Sequence, residues 1–513
     1  MDYQAFIFCG KGHGLEPFSK TRGDTGIVKA LLPVGNKPMI EYVLDWCEQA
    51  GFKEINVVID KNDLDLLKEG LGSYLLRREE SYKKLMKNLN SVSPFTNSSS
   101  TLSSASVGHN YSSSGNGSAS GVNLSHNLKK PTPIKFISSE CQNTGECLAK
   151  ELLPKITSNF VLLPCDFITD IPPQILSYQF LNMSDDNLCM SVYYKNKFEN
   201  IDKKQLSNCF TVYSEEEDSP VLLDIYSKES VDKNKYLQIR TQLLWRFPKA
   251  TVSTTLLNSF IYFCSYKLVS ILGDAENKIN CNKSLTKVFR DLSRRSWQHS
   301  TKKETVGIFV IPEVGNFLRS NNLSSYMEAN RYILKVRSTY SSNNTSAHTH
   351  NNNSTVGGDS FVGGNCTFGE KTNIKKSVIG NNCKIGKKCR IVGCVIFTNL
   401  EIEDDCHIEN CIIGNFAKIS KKCKLTNCYV ESSYEVGEKS MLKGETLKSL
   451  YLADNSDEDN NNNENDEDND HDDDDDDDDE YMYREEISGE DDEEDGEGYE
   501  YDDEYGDDDI FER

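Results

Sequence analysis

The 513-residue sequence has no apolar run approaching the roughly 20 residues that a membrane-spanning helix needs. Its start, MDYQAFIFCGKG, lacks the basic flank and cleavage site of a secretory leader. A cytosolic (cytoplasmic) chain with no membrane partner is the expectation. The 17 cysteines include no C-x-x-C pair and are odd in number, which fits reduced thiols better than a disulfide framework or a zinc site. The N-x-S/T triplets at Asn97, Asn116 and Asn343 therefore carry no weight. Positive charge is nearly absent from the last 60 residues. Of 81 acidic and 57 basic side chains, residues 454–513 hold 35 and 2, so the body is about +9 and the tail −33.

The rest of the chain, 37% hydrophobic overall, can bury a large core and divides into more than one domain. From residue 3 to about 338, short β-rich runs alternate with amphipathic segments. YQAFIF and KEINVVI read as strands. Between them Ile40, Val43, Leu44 and Cys47 recur at helical spacing, with Pro38 before and Gly51 after as start and stop signals. IKFIS, NFVLLPCD and NLCMSVYY continue the strands, and GECLAKELL reads as a helix. The pattern predicts a doubly wound α/β sheet over 1–338, with ligands at the C-terminal strand ends.

Residues 91–126 are almost all Ser, Asn and Gly, too polar to repay the entropy of ordering, and are expected to form a disordered insertion. A second polar stretch, 339–355, is expected to be a linker, and its His348-x-His350 pair reads as solvated rather than metal-binding.

Beyond it, apolar residues step by 6, 6 and 5. Val362, Phe368 and Ile374 are followed by Ile379, Ile385 and Ile391, and so on to Val430, Val436 and Leu442. Two hexapeptides and a pentapeptide make a 17-residue coil of three short strands, each turning one aliphatic side chain inward. This predicts a parallel β-helix over 356–450 with five coils, on the order of 24 Å long at about 4.8 Å per coil. Cys389, Cys406 and Cys423 follow the same period, as do Cys394, Cys411 and Cys428, and Cys366 with Cys383; they read as small buried side chains. The acidic tail, 454–513, is expected to be disordered through self-repulsion. Its aromatic-laced end, GYEYDDEYGDDDIFER, suits a Lys-rich partner. The basic segment Lys287–Ser300 reads as a solvated helix or a face meeting an acidic partner rather than an RNA contact, because no aromatic platform accompanies it. No DNA partner is expected.

One stretch, FCGKGHGLEP, places glycines 10, 12 and 14 directly after the first strand, followed by KALLPVGNKPMI and later by a strand ending in LLPCDF. These segments, ahead of a hexapeptide β-helix, resemble the sugar-1-phosphate nucleotidyltransferases. That resemblance implies a phosphate site of Gly10, Gly12, Lys29, Lys37 and Asp166, the aspartate matching a Mg²⁺ carboxylate. Where the family loop has an arginine facing the pyrophosphate, this chain has Gly14. Before the YMEAN helix, Arg319 stands where the second metal carboxylate belongs. Nucleotidyl transfer depends on stabilising developing oxyanion charge, so the pattern predicts a vestigial site with no catalytic residue, metal or cofactor.

Segments such as LLPVGNKPMIEYVLDWCEQAGFKEI, NTGECLAKELLPKI, LPCDFITDIPPQIL and ENCIIGNFAKIS further resemble the gamma-subunit family of translation initiation factor 2B, most of all its fungal form. This implies a left-handed β-helix and membership of a cytosolic assembly of five kinds of subunit that exchanges GDP for GTP on translation initiation factor 2. Partners would be the epsilon subunit foremost, then alpha, beta and delta, and the factor 2 GTPase. The alternative is an active nucleotidyltransferase resembling GDP-mannose pyrophosphorylase. An acyltransferase built on His407 is weaker still.

Overall fold

The computed structural model describes residues 2–20, 26–91, 130–201, 206, 209–215, 220–273, 279–298, 304–341, 349–350 and 354–449. The insertion read at 91–126, except Ser91, and the acidic tail lie outside them.

In chain order the first part is built from β1 (Gln4–Cys9), α1 (Met39–Ala50), β2 (Glu54–Asp60), α2 (Leu64–Ser91), β3 (Ile134–Ser139), β4 (Phe160–Pro164), β5 (Phe167–Thr169), α3 (Pro173–Leu181) and β6 (Asn187–Lys195). It continues with β7 (Cys209–Ser214), β8 (Val221–Ser227), β9 (Thr251–Ser253), β10 (Leu256–Cys264), α4 (Leu285–Gln298), β11 (Thr305–Val310), β12 (Phe317–Arg319) and α5 (Leu323–Ser341). A ten-stranded sheet runs in the order β9-β7-β8-β11-β6-β10-β4-β1-β2-β3. Strands β3, β2, β1 and β4 are parallel, β10 inserts antiparallel between β4 and β6, and β11 runs parallel to β6. Strands β8, β7 and β9 close the far edge as an antiparallel set.

The apolar run of β1 follows from burial on both faces. Ala5, Ile7 and Cys9 enter one core with α1, while Phe6 and Phe8 enter the other with α4. Helix α1 forms as its signals predict: Ile40, Val43, Leu44 and Cys47 are buried, and Gly51 takes a left-handed φ of 64°. There its N–H donates to the carbonyls of Cys47 and Glu48, closing the last turn. The predicted helix at 145–153 is less regular. It is α-helical over Thr144–Cys147, widens to a π-turn at Leu148–Leu152 and tightens at Leu153–Lys155. Pro154 explains this, since it has no N–H and crowds the preceding turn.

The 17-residue period becomes three stacked parallel sheets of seven, six and five strands, with one antiparallel strand at the start of the first. Ile374, Ile391, Ile408, Leu425 and Leu442 are register partners, as are Val362, Ile379, Ile396, Ile413 and Val430. The chain forms a left-handed β-helix whose core also takes in the cysteine columns. Corners fall at positive φ, for example Asn365, Lys371 and Lys376, then Asn382 and Lys388, with Gly393 completing the next turn. Asn and Gly are the residues that enter that region at least cost.

Of the polar stretch read as a linker at 339–355, residues 342–348 and 351–353, His348 among them, lie outside the described residues. Helix α5 runs on to Ser341, and Thr349–His350 pairs antiparallel with Ser354–Val356. The latter strand joins the first coil through Thr355 and Val356, opposite Asn373 and Ile374.

Candidate functional site

Strands β1 and β4 are parallel neighbours with Phe8 opposite Pro164, so their carboxyl ends deliver Gly10 and Asp166 to one place. This is where an open α/β sheet builds its sites. Lys29 arrives on a 3-10 turn, Lys29–Leu31. Arg319 arrives on β12, which pairs antiparallel with β5 and sets Arg319 opposite Phe167. The Ser320 N–H donates to the Asp166 carbonyl at 2.7 Å and pins the two segments together.

The Asp166 carboxylate is fully engaged. Arg319 donates from Nε to Oδ1 and from Nη2 to Oδ2, both at 3.0 Å, and Lys29 Nζ lies 2.8 Å from Oδ2. All three side chains are buried. Burial by itself would raise the Asp166 pKa; the charges of Arg319 and then Lys29 overcome it and hold the carboxyl well below the usual range. The Arg319 guanidinium also sits 4.8 Å from the centre of the Phe260 ring. What space is left, lined by Gly10, Lys29, Asp166, Arg319, Thr144 and Phe260 among others, is a cavity of about 10 Å³. That is room for no more than a single water.

The sequence-predicted residues divide between two places. Gly10, Lys29, Asp166 and Arg319 meet around this cavity. Gly12 holds φ at +88°, and a Cβ there would sit 3.0 Å from Lys29 Cβ. Gly14 has no room for a side chain, because a Cβ would collide with the carbonyl oxygen of Asn321. Lys37, by contrast, is not brought to this group. It lies 2.5 Å from Asp45 and 3.8 Å from Glu41, both on α1, along an open groove of about 790 Å³ that Arg77, Arg337 and Phe361 also line. Acidic side chains four and eight residues on, along one helical face, draw Lys37 away from Asp166.

Sequence reasoning missed the second use of the glycine-rich loop. Leu15 and Phe18 are buried with Met39, Tyr326 and the β-helix residues Val395, Phe397 and Ile412. Phe18 and Phe397 lie 5.4 Å apart between ring centres. Asn36 Nδ2 donates to the Ile379 carbonyl at 2.5 Å, and Lys448 Nζ is 3.9 Å from Glu16. The signal was present as doublets, VI at 378–379 and 395–396 and II at 412–413, in which the first residue faces outward and is buried all the same.

Comparison with known proteins finds similarity over two spans of the chain. Residues 337–442 match the EIF2B subunit epsilon LbH domain. Over a longer span, the translation initiation factor eIF2B subunit gamma of Schizosaccharomyces pombe is 26% identical across 405 residues, 73% of each chain. Both matches are to subunits of initiation factor 2B, and the longer one is to a gamma subunit.

Two weaker candidates resolve into structure. The basic segment forms α4, whose Leu285, Val288, Phe289, Leu292 and Trp297 are buried. Its Arg294 pairs with Asp224 at 2.8 Å, and Lys283 just ahead of it pairs with Asp291. His407 stands half-exposed on an outer wall of the β-helix, 3.9 Å from Glu409. Among the described residues no helix is long and apolar enough to cross a membrane, and no cluster of three or more His, Cys, Asp or Glu could hold a metal ion.

Proposed function

We propose that this chain is a supporting, non-catalytic subunit of the cytosolic guanine-nucleotide exchange complex, initiation factor 2B, and pairs with the epsilon subunit to recycle translation initiation factor 2. In this reading the nucleotidyltransferase site is an emptied relic. The observation that carries it is the Asp166 carboxylate, the residue matching a metal ligand, whose two oxygens are occupied by Arg319 and Lys29 beside a cavity too small for a phosphate. A divalent cation would have to displace two buried cations to reach it, against strong repulsion.

Nucleotide exchange requires no bond-making residue. It requires a surface that binds the GTPase more tightly once its nucleotide is loosened, and that coupling is reciprocal. A rigid sheet fused to a stacked β-helix supplies breadth and stiffness for such contacts.

The test is affinity purification of the tagged full-length chain from its own cells, with mass spectrometry of what is retained. Epsilon, the other subunits and the factor 2 GTPase are expected. Depleting the chain should slow GDP release by the remaining complex. Recovery of the chain without companion subunits, or formation of sugar nucleotide from a nucleoside triphosphate, sugar phosphate and Mg²⁺, would overturn the reading.

A further inference from the structure

The cysteines of the β-helix stand in columns, one thiol per coil, and most are sealed. Cys383, Cys389, Cys394, Cys406, Cys411, Cys423 and Cys428 are buried, whereas Cys366, on the first coil, is only partly so. Cys366 and Cys383 occupy equivalent places one coil apart. The residues after them, Thr367 and Lys384, are register partners, and the Thr367 N–H donates to the Cys383 carbonyl at 2.9 Å. Their side chains also point alike. Cys366 Sγ lies 3.6 Å from the Gly364 carbonyl and 3.1 Å from that of Gly380; Cys383 Sγ lies 3.6 Å from Asn381 O and 3.2 Å from Phe397 O.

We propose that Cys366 and Cys383 form a peroxide-sensitive thiol pair that closes into a disulfide between the first two coils. Adjacent parallel strands lie about 4.8 Å apart, inside the roughly 4.4–6.8 Å Cα separation that a disulfide spans. Gly363 and Gly364 precede Cys366, and a Cβ on Gly364 would meet nothing nearer than 3.9 Å, so the first sulfur has space to swing toward its neighbour. In the balanced sequence, the Cys366 thiolate attacks one oxygen of hydrogen peroxide and releases hydroxide, leaving a sulfenic acid. The Cys383 thiol then displaces water from that sulfur, and the S–S bond forms. Peroxide is the two-electron oxidant and both sulfurs are oxidised. The Cys383 thiol facing Cys366, aided by the N–H groups of Cys383 and Asn382, pulls the Cys366 pKa down to about 6, which favours the attacking thiolate. Columns such as Cys389, Cys406 and Cys423 repeat the stacking without the access, and stay reduced. Disulfides in reducing compartments are mostly transient and redox-sensing, which suits a pair exposed at one end only.

The bridge would staple the first coil to the second. The test exposes the full-length chain to hydrogen peroxide, blocks free thiols with N-ethylmaleimide and digests with trypsin without reductant. The expected product is the peptide 338–371 joined to 377–384, lost on adding dithiothreitol and absent from the Cys366→Ser variant. Amide exchange over 361–385 should slow several-fold on oxidation. Recovery of Cys366 oxidised with Cys383 still labelled by maleimide would overturn the proposal. So would a bridge between two copies of the chain, or an oxidised Cys141 with Cys366 untouched.

Discussion

Removing one member of the Asp166 cluster should expose how the buried charges are balanced. Two cations and one carboxylate share the site, all nearly inaccessible to water. Arg319→Met leaves the Lys29–Asp166 pair, which is neutral. Asp166→Asn leaves two cations facing each other with no anion between them. Breaking a buried ion pair costs about 3–5 kcal/mol, and the repulsion places Asp166→Asn at the upper end and Arg319→Met at the lower. Combining them should cost far less than the two penalties together, because the double variant buries only Lys29. Urea unfolding of the full-length chain, followed by tryptophan fluorescence, measures all three. Acid adds a second handle. The folded carboxyl titrates below the unfolded reference of about 3.9, so its contribution is complete above that pH and drains away as pH falls through it. Wild type should lose roughly 1 kcal/mol relative to Asp166→Asn by pH 3, from about 1.36 kcal/mol per pH unit below the reference value. A gap unchanged between pH 7 and pH 3, or Arg319→Met proving costlier than Asp166→Asn, would refute this account.

Restoring the family arginine by Gly14→Arg should lower stability and yield no sugar nucleotide, because the new side chain meets the Asn321 carbonyl; radiolabelled product would contradict this. Phe397→Ala should cost about 3–5 kcal/mol and speed proteolysis between the sheet and the β-helix, since its ring packs on Phe18 and Tyr326; unchanged cleavage kinetics would count against that junction. Phe416 holds φ at 57° while 62% exposed, below the Asn365, Asn382 and Asn399 ladder. Phe416→Asn should therefore raise the melting temperature, by a share of the roughly 1–2 kcal/mol a left-handed bulky residue stores; a fall would show that the ring is packing after all. Ile408→Ala, between the fully buried Ile391 and Leu425 of its column, should cost about 2–5 kcal/mol by chemical denaturation.

The elements that could be read from the sequence share one property: their signal is local. The β-helix repeats every 17 residues, so each coil restates the period, and α1 carries its own start and stop. The phosphate loop could be read as a shape for the same reason. The contacts that fill its cavity could not. That Arg319 turns onto Asp166 depends on pairing β5 with β12, some 150 residues apart in sequence, and no periodicity reports such a contact. The resemblance set Lys37 beside Lys29; Asp45 and Glu41 redirect it through helix geometry. The outward apolar residues of the β-helix were visible as doublets, but a search for inward positions passes over them.

The β-helix has three flat walls, and one is given up internally, glued to the sheet through Val395, Phe397 and Ile412. Of the other two, one carries Lys384, Glu401, Lys418 and Glu435 directly above one another, signs alternating rung by rung. A neighbour matched to that wall is held in phase as by a vernier. Slipping by one rung sets like charges face to face, so the next favourable alignment lies two rungs away, about 9.6 Å along the axis at the usual strand spacing. The wall thus sets position more firmly than it sets strength, and added salt should blur the phase before it breaks the contact.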